Sequence, residues 1–89
     1  MERRAELVVA SARGIHLISA SRIAALASRF GATIELRRGA VAVNAKDVAD
    51  VLQLAAGPGA ELECVARGED AAAAVAALVT LFQERFGES

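Results

Sequence analysis

Apolar residues recur along this chain with two different periods, and the change of period predicts where strands and helices lie. The segment from Ala5 to Ala10 is short and β-branched in its middle, which is typical of a strand. From His16 to Phe30 the apolar residues return every three or four positions, and this spacing predicts an amphipathic helix. Gly31 follows that run, at the position where glycine commonly ends a helix.

The next segment predicts a β-hairpin. Ile34 and Leu36 alternate with polar or charged residues, which is the period of a strand with one buried face. Val41 and Val43 alternate with smaller residues in the same way. Gly39 stands between the two runs, where a glycine turn would reverse the chain.

A short helix is predicted after the hairpin, in the segment DVADVLQLA. Asp47 stands at its start, where an aspartate side chain can accept a hydrogen bond from a free backbone N–H group. A loop with the sequence GPG follows at residues 57–59. The apolar face of this helix is predicted to contain Val48, Val51, Leu52 and Leu54.

The last part of the chain predicts one more strand and one more helix. In the segment AELECVARG, Leu62, Cys64 and Ala66 share one face. The final helix is predicted within residues 68–86, with Glu69 and Asp70 in its first turn, where the helix dipole favours negative charge. Its buried stripe is predicted to consist of Ala74, Val75, Leu78, Leu81 and Phe82.

The predicted order is therefore strand, helix, strand, strand, helix, strand, helix. Short alternating strands indicate one sheet with a single covered face. We therefore predict an α+β fold of the open-faced sandwich type, in which a four-stranded antiparallel sheet carries three helices on one face. A chain of 89 residues is the length of one domain, which we assign to residues 1–89.

Composition removes several classes of function. The net charge is −1 with both signs scattered, and there is no Trp or Tyr, which argues against nucleic-acid binding. Cys64 is the single cysteine, so an internal disulfide and a cysteine-cluster metal site are excluded, and we expect no metal. A single thiol fits a reducing cytoplasmic setting. No apolar run approaches the roughly 18 residues that a membrane span needs, so no membrane insertion is expected.

The only histidine, His16, stands at the predicted start of the first helix. Backbone N–H groups in the first turn, those of Leu17, Ile18 and Ser19, have no helical partner and form a site for an anion. A neutral imidazole is a competent nucleophile, so this position suits reversible phosphorylation. The alternative is a helix-start or surface histidine without chemistry, because a single motif carries a high risk of a false match.

Two large apolar residues next to His16 are predicted to face away from the core. On a helical wheel Ile18 falls with Arg22, and Leu17 falls near Ser21, both on the outer side of the helix. Exposed apolar clusters often mark docking surfaces. The alternative is that one of these two side chains tucks under the loop at residues 11–14.

The chain resembles the HPr family, the histidine phosphocarriers of the bacterial sugar phosphotransferase system. The likeness is carried by GIH at 14–16 before the Ala20 helix, by AK at 45–46, and by GED at 68–70 followed by AV and LV. The order and length of the elements match along nearly the whole chain.

The resemblance implies that His16 accepts a phosphoryl group from enzyme I, which draws on phosphoenolpyruvate. His16 would then pass it to sugar-permease components or to regulatory phosphoacceptor proteins. Such a protein is a carrier in a relay rather than an enzyme with turnover, and we expect a monomer without a cofactor. The implied partner-docking surface consists of Leu17, Ile18, Arg22, Val48 and Leu52.

The sequence departs from the family motif directly after the histidine. The motif reads Gly-Leu-His, any residue, Arg-Pro-Ala, whereas residues 14–20 read GIHLISA. Ile18 occupies the arginine position and cannot stabilise phosphoryl charge as a guanidinium would. Ser19 occupies the proline position and can serve as a polar first-turn residue.

Two further residues suggest how the chain differs from its relatives. Arg13 is a candidate to reach the phosphoryl group from the loop side in place of the missing arginine, the alternative being an ordinary solvated arginine. Asp47 stands where many relatives carry a serine that a kinase phosphorylates in Gram-positive members. Asp47 would supply a fixed charge smaller than that of phosphoserine, or would serve only as a helix N-cap.

Three functions follow, in order of preference. The first is the histidine phosphocarrier. The second is an HPr-like regulatory module that docks partner proteins without efficient phosphoryl transfer, an interpretation motivated by Ile18. The third is a small interaction or structural domain without phosphoryl chemistry. A small-molecule enzyme is disfavoured because no second titratable group lies near His16 in the sequence.

Overall fold

The computed structural model describes residues 1–88, so that Ser89, the last residue of the predicted domain, lies outside the described residues. The elements follow the predicted order, and a short 3₁₀ turn comes after the last helix. Their bounds are β1 Glu2–Val8, α1 Leu17–Ala27, β2 Thr33–Arg38, β3 Val41–Asn44, α2 Val48–Leu52, β4 Glu61–Arg67, α3 Ala71–Gln83 and the C-terminal 3₁₀ turn Arg85–Gly87.

The four strands form one antiparallel sheet in the order β1-β4-β2-β3. This confirms the predicted open-faced sandwich. β4 lies in the interior of the sheet and pairs along both edges, with β1 on one side and β2 on the other. The predicted hairpin joins β2 to β3 through Gly39, whose φ of 59° is the left-handed conformation that such a turn requires.

The core lies between the covered face of the sheet and the helices. Leu62, Cys64 and Ala66 of β4 belong to it, as their period of two predicts. α3 packs directly on β1 and β4, and α1 packs against α2 and α3. In α3 the predicted stripe is confirmed in part, because Val75 and Leu81 are only half-buried. The apolar residues of α1 and α3 that are at most 2% exposed are Ala20, Ile23, Ala27, Ala71, Ala74, Leu78 and Phe82.

The first strand begins and ends earlier than predicted. β1 covers Glu2–Val8 because Glu2 already pairs with Arg67 at the far end of β4. The segment RRAE contains little apolar signal, so its strand conformation comes from this pairing. Val9 follows outside the strand and is buried, and its N–H group donates to the carbonyl of Ala60 at 2.9 Å.

The end of α1 also differs from the prediction. The helix stops at Ala27, and Gly31 does not adopt the left-handed conformation of a helix-ending glycine. Instead, the carboxylate of Asp70 accepts hydrogen bonds from the N–H groups of Gly31 at 2.9 Å and Ala32 at 2.8 Å. Asp70 occupies the N-cap position of α3, but its side chain binds this loop and not its own helix. The bonds from Gly31 and Ala32 lower the pKa of the Asp70 carboxyl.

The C-terminal residues leave the predicted helix and turn back. Arg85, Phe86 and Gly87 have φ angles of 54°, 58° and 76°, a left-handed conformation that costs about 1–2 kcal/mol per non-glycine residue. The Phe86 ring is buried and meets Phe82 edge to face, with centroids 4.8 Å apart. The Arg22 guanidinium donates to the Phe86 carbonyl. Burial and this bond offset the strain, and Glu88 returns toward the start of α1.

Just before α1, the backbone at Gly14 packs closely against the loop that leads into β4. Its φ of 69° is the left-handed conformation that glycine adopts at no steric cost. A Cβ atom added there would lie 2.8 Å from the carbonyl oxygen of Ala56 and 2.9 Å from the Cα atom of Gly57. The next N–H group, that of Ile15, donates to the same Ala56 oxygen at 2.8 Å. The loop before His16 is thereby fastened against the loop that leads into β4.

Within residues 1–88, none of the helices has the length and apolar character needed to cross a bilayer.

We predict that Gly14→Ala lowers the free energy of unfolding by roughly 1–3 kcal/mol, because the substitution adds a steric clash to a left-handed backbone. Denaturant unfolding measures the loss. Gly57→Ala is the matched control, since a Cβ atom there meets nothing within 4 Å, and it should stay within about 0.5 kcal/mol of the original. Equal losses in the two variants would contradict this account of the loop.

We predict that Asp70→Asn loses stability at neutral pH and that its deficit shrinks in acid. The pKa of Asp70 is lower in the folded than in the unfolded protein. Its stabilisation is therefore complete above the ordinary carboxyl pKa and is lost as the pH falls below it through the folded-state value. Urea unfolding at neutral and acidic pH tests this, with the exposed neighbour Glu69→Gln as control. A deficit independent of pH would argue against it.

Candidate functional site

His16 is the N-cap residue of α1 and not its first helical residue. Its backbone is extended, with φ −127° and ψ −174°, and its side chain is 22% exposed. The ring atom Nδ1 accepts a hydrogen bond from the N–H group of Ile18 at 3.3 Å. The imidazole therefore lies over the first turn of the helix, with Nδ1 facing the backbone N–H groups of that turn.

Ser19 fixes the backbone from which this imidazole projects. Its Oγ atom accepts from the His16 N–H group at 2.9 Å and lies 3.1 Å from the His16 carbonyl oxygen, to which it can donate. Ser19 is completely buried. The two residues form a reciprocal cap. The His16 side chain accepts from a backbone N–H group of the first turn, and the Ser19 side chain accepts from the backbone N–H group of His16. Serine in the place of the family proline thus orients the histidine.

A second titratable group lies against His16. Oε2 of Glu88 is 2.5 Å from Nε2 of His16, although the two residues are 72 positions apart in the chain. Oε1 of Glu88 accepts from the buried hydroxyl of Ser11 at 2.8 Å. The Ser11 bond is the main cause of a lowered Glu88 pKa, and the neighbouring His16 and the charge of Arg13 contribute.

No linear spacing predicts this carboxylate, because the contact depends on the turn formed by residues 85–87. The one signal in the sequence is Phe86, an apolar residue four positions after Phe82, which indicates that the chain stays packed beyond α3.

The two arginines of interest occupy different positions. The Arg13 side chain is exposed, and its backbone N–H group donates to the Ser11 Oγ atom at 3.3 Å. Its charge lies close enough to Glu88 to contribute to the lowered pKa of that carboxyl. Arg22 instead reaches the C-terminal turn, where its guanidinium donates to the Phe86 carbonyl.

An exposed apolar surface adjoins His16. Leu17 is 61% exposed and Ile18 is 53% exposed, so neither side chain is tucked under the loop at residues 11–14. α2 packs beside α1 and presents the exposed Leu52, whereas Val48 is half-buried against the core.

The remaining candidates have structural roles. Asp47 caps α2 by accepting from the Asp50 N–H group at 3.0 Å, which confirms the predicted cap. Cys64 is fully buried, and burial raises the pKa of its thiol to about 11, which makes it unreactive. Capping of α2 accounts for Asp47, and packing in the core accounts for Cys64.

The chemistry available at the site is that of one nucleophilic nitrogen beside the backbone N–H donors of a helix start. A carboxylate contacts the ring at the opposite nitrogen, and the exposed apolar side chains of Leu17 and Ile18 directly follow the histidine. Such an arrangement suits covalent transfer of an anionic group between proteins rather than turnover of a small molecule in an enclosed cleft.

Comparisons with known proteins point to the same chemistry. A family model described as "PTS HPr component phosphorylation site" matches residues 3–84. The phosphocarrier protein HPr of Treponema pallidum is 45% identical over 75 residues, which are 84% of this chain and 85% of that protein. The phosphocarrier protein NPr of Shewanella violacea is 31% identical over 84 residues, covering 94% of this chain and 92% of that protein.

The fold has a close counterpart among solved structures. A crystal structure of HPr from Thermoanaerobacter tengcongensis superposes with a TM-score of 0.93 at 28% identity, and 98% of each chain is covered. Similarity in sequence and in structure therefore extends over nearly the whole chain. This protein belongs to the HPr family and is a phosphocarrier of the phosphotransferase system.

Proposed function

We propose that His16 is the phosphoryl acceptor of this carrier, that enzyme I charged by phosphoenolpyruvate is its donor, and that sugar-permease components or regulatory proteins are its acceptors. One observation carries the proposal. The imidazole of the only histidine caps α1 with Nδ1 toward the N–H groups of the first turn, and it is partly exposed beside an apolar surface.

The transfer step follows from this placement. The lone pair of Nδ1 forms a bond to phosphorus while the bond between phosphorus and the donor atom breaks, and that electron pair stays with the donor. The hydrogen bond from the Ile18 N–H group to Nδ1 is long, at 3.3 Å, and gives way to the incoming group. The N–H groups of Leu17, Ile18 and Ser19 then stabilise the phosphoryl oxygens at the positive end of the helix dipole.

Arg13 is proposed to supply the positive charge that the family arginine supplies elsewhere, since Ile18 cannot. Support comes from its position on the loop before His16 and from its influence on the nearby Glu88 carboxyl. A flexible arginine in solvent can turn toward a dianion that arrives at His16, and charge-assisted hydrogen bonds are the strong ones.

The docking surface is proposed to lie on α1 and α2 next to His16, and all of its residues are exposed except the half-buried Val48. Its apolar character and modest size suit transient contacts with several partners rather than a permanent complex. We expect the carrier to act as a monomer in the cytoplasm. The residues proposed for docking are Leu17, Ile18, Arg22, Val48 and Leu52.

Asp47 removes one mode of regulation. It has no hydroxyl for a serine kinase, and its carboxylate is engaged as the N-cap of α2. We propose that its fixed charge makes the surface near α2 insensitive to such a kinase.

Ile18 favours a second candidate function. Without an arginine two positions after the histidine, the protein would dock enzymes or transcription regulators and transfer phosphoryl groups poorly. The two functions are separated by whether His16 is modified.

Incubation with phosphoenolpyruvate and enzyme I of the same organism should add one acid-labile phosphoryl group, detected by intact-mass analysis. His16→Ala should stay unmodified, because it lacks the nucleophile. An unmodified wild-type protein, with the same enzyme I shown to charge another carrier, would reject the phosphocarrier role and support the docking module.

Arg13→Ala should slow phosphorylation of His16 by about tenfold or more, since removing one stabilising donor from a developing anion has effects of this order or larger. Rapid-quench kinetics with charged enzyme I measure the rate. Arg29→Ala, an exposed arginine beyond the end of α1, is the matched control. If both variants react at the wild-type rate, Arg13 is an ordinary solvated residue.

A further inference from the structure

We propose that Glu88 is a positioning residue for His16: its carboxylate holds the ring proton on Nε2, so that Nδ1 presents its lone pair to the incoming phosphoryl group. The proposal rests on the proposed role of His16 as phosphoryl acceptor. It adds a residue from the far end of the chain to the transfer site.

Two independent contacts select the same form of the imidazole. An ionised carboxylate has only acceptor atoms, so the 2.5 Å contact between Glu88 Oε2 and His16 Nε2 requires the proton to lie on Nε2. On the other side of the ring, the Ile18 N–H group donates to Nδ1, which requires a lone pair there. The neutral imidazole that satisfies both contacts is protonated at Nε2 and free to attack through Nδ1.

The carboxylate is itself held in place. Ser11 Oγ accepts from the Arg13 N–H group at 3.3 Å and donates its hydrogen to Glu88 Oε1 at 2.8 Å. Ser11 is buried, and only 14% of the Glu88 side chain is exposed. Each oxygen of the carboxylate thus has a partner, and these contacts keep Glu88 ionised by lowering its pKa.

The backbone that delivers Glu88 is strained. Two non-glycine residues, Arg85 and Phe86, take left-handed conformations immediately before it. Burial of the Phe86 ring and the bond from Arg22 to the Phe86 carbonyl hold this conformation. Strained backbone that the surrounding structure enforces is concentrated at functional sites, and here its result is a carboxylate against the histidine.

The carboxylate also responds to the change of charge during transfer. As the Nδ1–phosphorus bond forms, the ring gains positive charge, and Nε2 keeps its proton beside the Glu88 oxygen. A carboxylate in this position orients and stabilises the imidazole without taking the proton, as in hydrolase triads. Because Nε2 and Nδ1 point to different sides of the ring, Glu88 stands away from the phosphoryl oxygens.

The first test measures which nitrogen of the His16 ring carries the proton, and it needs no phosphoryl donor. His16 is the only histidine, so long-range proton–nitrogen NMR of the full ¹⁵N-labelled chain gives one unambiguous set of imidazole signals. At a pH where the ring is neutral, the wild-type protein should show the form protonated at Nε2. Glu88→Ala should show a mixture of the two forms, while Glu88→Asp, which retains the charge, should recover part of the wild-type pattern.

The second test measures the rate at which charged enzyme I phosphorylates each variant. Glu88→Gln and Glu88→Ala should react between about tenfold and a thousandfold more slowly, because both lose the negative charge that stabilises the ring as it becomes positive, and Glu88→Ala also loses the acceptor that holds the proton on Nε2. Glu84→Gln, an exposed carboxyl just before the turn, is the matched control and should react at the wild-type rate.

The positioning role would be overturned if Glu88→Ala kept the wild-type proportion of the two imidazole forms. It would also be overturned if a variant with a changed proportion were phosphorylated at the wild-type rate. These results differ from a failure of the proposed function, in which the wild-type protein itself stays unphosphorylated whatever its imidazole form.

Discussion

Hydrogen bonding along both edges of β4 is the constraint on which the rest of this structure depends. It brings the end of β1 beside the loop that enters β4, so the chain leaving β1 runs along that loop. Backbone hydrogen bonds from Val9 to Ala60 and from Ile15 to Ala56 join the two segments. His16 follows at once, and pairing in the sheet therefore decides where α1 begins and where its free N–H groups point.

The residues that contact His16 lie at very different separations from it along the sequence. Ser19 orients His16 from three residues away, within the first turn of α1. Glu88 reaches the opposite ring nitrogen from the other end of the chain, through a turn whose strain is offset by burial of Phe86. Packing of the Phe86 ring thus helps to place the Glu88 carboxylate against the histidine, because Phe86 anchors the backbone that carries Glu88.

Much of the fold could be predicted because periodicity and capping act locally. The hairpin, the Asp47 cap and the covered face of β4 depend on residues within a few positions of one another. The predictions failed where a distant partner competes with a local preference. Asp70 was expected to act on its own helix, but it binds the loop after α1, and Gly31, expected to end α1 in a left-handed conformation, is held in that loop by Asp70.

The sequence by itself determined the order of the elements, the sandwich architecture and the position of His16 at a helix start, because these depend on short-range spacing. The motif GIH and the pattern around it were enough to indicate the family. Only the tertiary structure brought Glu88 to the imidazole. The physical reason is that burial of Phe86 bends residues 85–87 against their local helical preference, and no period along the chain encodes a contact made by such a turn.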